Sequence, residues 1–143
     1  MTLDLRGYQP RHPTLYQLAA DGESLDFVFA RCPACGHLAF PADAPGCSQC
    51  GDPMKDAERI TRPGSGTLLE FVTLHVPLLP GMEVPRIAAD IRLGEDGPIE
   101  EGVMATTDES QLRVGMALRA VAHPLPAGEV FDCRFVPAAE AQR

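Results

Sequence analysis

The chain has no tryptophan, and aromatic residues fill only 6% of its 143 positions. Its core must therefore be assembled from Leu, Val, Ile, Ala and a few Phe. Lysine is almost missing: Lys55 stands alone among twelve basic residues, and the other eleven are arginines. Acidic residues number 20, so the formal charge is −8. A chain this acidic repels a polyanion, which disfavours nucleic-acid binding. No aromatic occurs between Phe71 and Phe131, which removes the stacking platforms that single-stranded nucleic acid requires. Apolar runs fall well short of the roughly 18 residues of a membrane-spanning helix, and MTLDLRGYQP lacks the basic-then-apolar order of a secretory signal. The expectation is a cytoplasmic protein with no membrane partner. Catalytic motifs are missing as well. There is no G-x-S-x-G, P-loop or H-E-x-x-H, and His12, His37, His75 and His123 are scattered with no patterned carboxylate or serine beside them. On its own the chain reads as a non-enzyme.

What is present begins with cysteine. Four of the five cysteines, Cys32, Cys35, Cys47 and Cys50, form two C-x2-C pairs separated by eleven residues. Two residues between cysteines let a tight turn aim both sulfurs at one point, and two such knuckles facing each other make a closed tetrahedral thiolate site suited to structural Zn2+. Gly36 and Gly51 follow the second cysteine of each pair, where a knuckle turn needs positive φ. Four thiolates also hold iron, and two disulfides are the other alternative, though a chain without an export signal is a poor setting for them. A filled four-sulfur site leaves no position open for a substrate, so the ion serves architecture. A segment of about 30 residues has too small a core to fold without such a staple. Cys133 stands apart, flanked by Phe131 and Phe135 in alternation, and reads as a small apolar side chain of a strand face.

The remaining chain is punctuated by 13 Gly and 14 Pro, a density that few long helices survive. Pro13–Ala20 predicts a short helix, with Pro at its start and the following Asp21-Gly22 as its stop. Leu25–Ala30 predicts a strand entering the first knuckle, and His37–Phe40 a short strand between the knuckles. RPGSG at 62–66 marks a break, giving two domains, 1–61 and 62–143. Beyond it come five strand-like runs, Thr67–Val76, Val84–Leu93, Pro98–Thr106, Met116–His123 and Glu129–Val136, with a helix-like segment at Asp108–Arg113 between the third and fourth. In the second run, Ile87, Ala89, Ile91 and Leu93 alternate with Arg86, Ala88, Asp90 and Arg92, the pattern of a half-buried strand. The expected fold is mainly β: a short N-terminal helix, a rubredoxin-like zinc ribbon, then a five-stranded OB-fold barrel.

The loop VPLLPGMEVP offers Leu78, Leu79 and Met82 beside prolines. Such residues either cap the end of a barrel or mark a contact to protein, acyl chain or pantetheine. Arg86 and Arg92 could hold a phosphate or a partner, or pair across strands with Glu100 or Glu101.

Gly22, Arg31-Cys32, Cys35-Gly36, Phe40-Pro41, Cys47, Cys50-Gly51 and Phe135-x-Pro137, in that order from about Thr14 to Pro137, resemble the zinc-ribbon/OB-fold family known as domain of unknown function 35 (DUF35). Leu112-Arg113-Val114-Gly115-Met116 before the fourth run is similar too, while Gly46 stands where the family often has proline. The resemblance implies an accessory subunit in a hetero-oligomer with a thiolase-like acyl-CoA enzyme: a thiolase, acyltransferase or aldolase. The partner would supply the catalytic Cys and His, and the small subunit would shape the CoA or acyl-CoA channel. A stand-alone acyl-CoA-binding module is the alternative, and a zinc-ribbon/OB nucleic-acid binder is a third.

Overall fold

The computed structural model describes residues 4–138. They form ten strands: β1 (Gln9–Pro10), β2 (Tyr16–Leu18), β3 (Leu25–Arg31), β4 (Leu38–Ala39), β5 (Glu58–Pro63), β6 (Ser65–Leu74), β7 (Arg86–Leu93), β8 (Ile99–Val103), β9 (Ala117–Pro124) and β10 (Val130–Pro137). A single 3-10 turn, Glu109–Gln111, lies between β8 and β9, capped by Asp108, whose side chain accepts from the Ser110 N–H. The chain divides into two compact units: Met1–Pro63 with Pro124–Asp132, and Gly64–His123 with Cys133–Arg143.

The first unit is built around β3. Antiparallel β2 and β5 flank it, and β4 pairs with its last two residues. The expected N-terminal helix is not formed among the described residues. Tyr16–Leu18 is instead a strand, Tyr16 opposite Phe27 and Leu18 opposite Leu25. Seven residues between a proline and an Asp-Gly turn cannot repay helix nucleation, whereas the edge of β3 offers hydrogen bonds and a place to bury Tyr16. The Tyr16 hydroxyl then donates to Asp132 at 3.1 Å, and its ring lies 6.0 Å from that of Phe131. Phe40 packs against Phe27 and Phe29 at centroid distances of 5.7 and 5.2 Å.

The second unit holds the barrel strands. β7 pairs antiparallel with β6 and β8, and β9 pairs antiparallel with β6. Closure comes where Met104 bridges Phe135 in parallel, with the Ala105 N–H donating to the Phe135 carbonyl at 2.9 Å. Gly102 is required at this seam: a Cβ there would come within 2.7 Å of the Phe135 ring and 2.9 Å of Ile91. The inward residues of β7 match their alternation, with Ile87, Ala89, Ile91 and Leu93 all buried. The hydrogen-bonded order is β1-β10-β9-β6-β7-β8, six strands rather than five. The extra strand is β1, which in the first unit runs parallel to the start of β10, with the Gln9 N–H donating to Glu129 and the Arg11 N–H to Phe131. The free edge of β10 recruits it, and two residues ending in proline carry no periodicity that would announce a strand.

Candidate functional site

The two knuckles are built alike. In the first, the Cys32 N–H donates to the His37 carbonyl (2.8 Å) and the Gly36 N–H to the Cys32 carbonyl (2.9 Å). In the second, the Cys47 N–H donates to the Asp52 carbonyl (2.8 Å) and the Gly51 N–H to the Cys47 carbonyl (2.9 Å). Gly36 and Gly51 have φ of 81° and 80°, the left-handed conformation that lets the chain turn back under each pair. β3 delivers Cys32 directly. The segment after β4 returns the chain to Cys47, and the Asp52 carboxylate fixes the exit by accepting from the Met54 N–H.

All four sulfurs lie within 4.8 Å of one another. Cys32 Sγ is 3.6 Å from Cys50 Sγ, and Cys35 Sγ is 3.7 Å from Cys47 Sγ. A tetrahedral Zn–S site with bonds of about 2.3 Å requires S···S edges of about 3.8 Å, so the cage fits that ion, whereas a disulfide needs about 2.05 Å. The first cysteine of each pair is buried and the second exposed. Acid–base behaviour differs within the cage. The Cys50 and Gln49 backbone N–H groups bring Cys47 down to about 7. Cys50 is pushed up to about 12, because the lowering effect of the Asp52 amide is outweighed by contacts with the crowded sulfurs, Cys35 foremost. The Cys47 thiolate thus forms readily while Cys35 and Cys50 resist it, a conflict that a divalent cation resolves.

The other sequence candidates lie in the second unit and do not converge. Leu78 and Leu79 are 69% and 66% exposed, so they do not cap a core. The Leu78 N–H approaches Met82 Sδ at 3.4 Å, and the Met82 N–H donates to the Leu79 carbonyl, which closes the loop on itself. Arg92 donates to the Gly97 carbonyl at 3.3 Å. Cross-strand pairing of the arginines with Glu100 or Glu101 is not made among the described residues. The register sets Glu100 opposite Ile91, Glu101 opposite Asp90, Arg92 opposite Ile99 and Arg86 opposite Leu74. Cys133 is half-buried between buried Phe131 and Phe135.

A shallow groove of about 290 Å3 runs over β6 and β7, lined by Phe71, Val72, Leu74, Leu78 and Ala88 and bordered by Glu70, Asp90 and Glu101. It takes in Leu78 but not Leu79, Met82, Arg86 or Arg92. Sequence reasoning missed its acidic border. Asp90 was legible as outward-facing, but its neighbours follow only from strand register.

The ribbon and the barrel each match a family model: residues 20–54 match the rubredoxin-like zinc ribbon domain of ChsH2, and residues 60–123 its C-terminal OB-fold domain. The chain belongs to the DUF35 family. Among solved structures it is similar to one described as "Ltp2-ChsH2(DUF35) aldolase", with 28% identity, a TM-score of 0.60, and coverage of 78% of this chain and 84% of that one. No curated protein matches it. As in the family, a ribbon is followed by an OB fold in an almost purely β chain. No helix among the described residues is long and apolar enough to cross a membrane.

Proposed function

We propose that this DUF35 chain is the non-catalytic accessory subunit of a thiolase-like acyl-CoA enzyme, which it stabilises and whose acyl-CoA site it helps to shape. Its similarity over most of both chains to the ChsH2 component of an Ltp2 aldolase carries this reading. Cys32, Cys35, Cys47 and Cys50 hold one Zn2+, which cross-links the two knuckles and has no free position for substrate. The domains divide at 61/62, ribbon before barrel. The absence of a nucleophile–base motif is consistent with chemistry supplied by the partner. A free-standing CoA module is less well supported. Among the apolar loop residues the groove takes in Leu78, but three carboxylates border that groove, an unfavourable setting for a ligand that carries phosphates.

Co-expression with a thiolase-fold acyl-CoA enzyme from the same source tests the reading. The expected result is a stable complex with higher turnover than the enzyme alone and one zinc per accessory chain by elemental analysis. If the two proteins elute separately and turnover is unchanged, the reading fails.

A further inference from the structure

The outward face of β6, β7 and β8 combines two features that a solvated surface rarely keeps together. The first is exposed apolar area: Val72 is 56% exposed and stands opposite Ala88, which stands opposite Val103, while Leu78 from the following loop joins the same groove. The second is a row of like charge. A bulge between Leu68 and Glu70 shifts the register of β6 so that Glu70 faces Asp90, and Asp90 faces Glu101. Three carboxylates therefore lie side by side, one per strand, along one edge of the apolar groove. Like charges directly opposite on neighbouring strands destabilise a sheet. Among the described residues none of the three has an ion-pair or hydrogen-bond partner. The nearest arginine along β7, Arg92, is turned to the Gly97 carbonyl at the β7–β8 turn.

The geometry points to this face as a docking surface for an apolar polypeptide segment that carries arginine or lysine, its hydrophobic side chains in the Val72–Leu78–Ala88 groove and its cation across Glu70, Asp90 and Glu101. The acidic row decides the occupant. It repels nucleic acid and the phosphates of CoA. It also opposes a symmetric contact with a second copy, which would set acid against acid. A cationic partner segment alone relieves the repulsion while covering the apolar area. This assignment rests on the accessory-subunit reading, and it names the surface and the chemistry by which the catalytic partner is recognised.

The intact, 15N-labelled protein is titrated with a synthetic amphipathic peptide of leucines and arginines, and with the same peptide carrying glutamine in place of arginine. The arginine peptide should shift the amides of Val72, Leu78, Ala88, Asp90 and Glu101. The glutamine peptide should bind at least about ten-fold more weakly, as should the arginine peptide to Asp90→Lys or at raised salt. Asp90→Lys should meanwhile melt above wild type, because it breaks the row of like charge, and Glu101→Gln provides a milder second variant. Equal binding of both peptides, shifts confined to other surfaces, displacement by CoA at these same amides, or self-association through this face would overturn the assignment. Assembly with the catalytic subunit separates the two conclusions. An unweakened complex with Asp90→Lys sinks the docking face and leaves the accessory role standing. Failure to form any complex, with the arginine peptide still seated on β6–β8, sinks the role and leaves the face.

Discussion

The knuckle lobe and the barrel are held together by different means. Around the two knuckles the clustered buried side chains are small or sulfur-bearing: Ala30, Ala39, Cys32, Cys47 and Met54, with Ala42 and Ala57 packed beside them. In the barrel Leu68, Ile87, Ile91, Leu118 and Ala120 are wholly or almost wholly buried. Burying one Leu or Ile contributes about 1.5–3 kcal/mol, so the barrel accumulates its stability by area. Two alanines and a methionine cannot do the same. Coordination takes over that task, and it does so all at once, because a tetrahedral site with one ligand missing is no longer closed. The contrast teaches that the same β architecture can be cooperative through many weak contacts or through one strong centre.

The sharpest way to break the comparison is to remove a sulfur. Cys47→Ser, or a strong chelator, should abolish amide protection across the knuckle lobe while leaving that of β6 to β9 near wild type by hydrogen exchange. Structural zinc contributes on the order of 10–16 kcal/mol in comparable sites. Loss of protection in both regions together would show that the barrel is not self-sufficient. Acid should act in the same direction, since protons compete for all four thiolates, so metal retention falls as pH falls.

The converse perturbation is Ile91→Ala. Its side chain is fully buried, and its truncation should cost about 2–5 kcal/mol in chemical denaturation followed through the barrel. Zinc content per chain should stay unchanged, and co-loss of metal would contradict the separation. A smaller effect is expected from Tyr16→Phe, which deletes the hydroxyl that donates to Asp132. A loss of about 0.5–1.5 kcal/mol, confined to the first unit, is the expected result, and a null change would show that water replaces the bond.

The smallest effect concerns Glu100, whose carboxyl is raised above its usual 4.5 by burial. A group with a raised folded-state pKa contributes stability below its unfolded value and loses it as pH rises through the folded value. Glu100→Gln should therefore melt slightly above wild type at neutral pH. The gap should close once both states of the wild type are protonated in acid, and a gap independent of pH would contradict the assignment.

Legibility in the sequence followed the same division. The metal lobe could be read because its chemistry lies in fixed short spacings: two C-x2-C pairs and the glycines behind them determine the knuckles whatever surrounds them. The β7 alternation was equally plain, since one face of Ile87, Ala89, Ile91 and Leu93 has no other use. Features that depend on distant pairing were not legible. Pro13–Ala20 carries local helix signals, yet its middle, Tyr16–Leu18, becomes a strand because β3 presents an open edge. β1 exists only because β10 lies alongside it. The acidic row is the clearest case. Glu70, Asp90 and Glu101 are unremarkable singly, and only the bulge between Leu68 and Glu70 brings them abreast.

The four sulfurs are not equivalent in their access to solvent: Cys32 and Cys47 are buried, whereas Cys35 and Cys50 are exposed. An incoming oxidant or competing chelator therefore meets the outer pair first, and ligand exchange proceeds from that side. The inner pair, anchored by backbone hydrogen bonds at 2.8 Å, keeps half of the coordination sphere assembled for the ion's return.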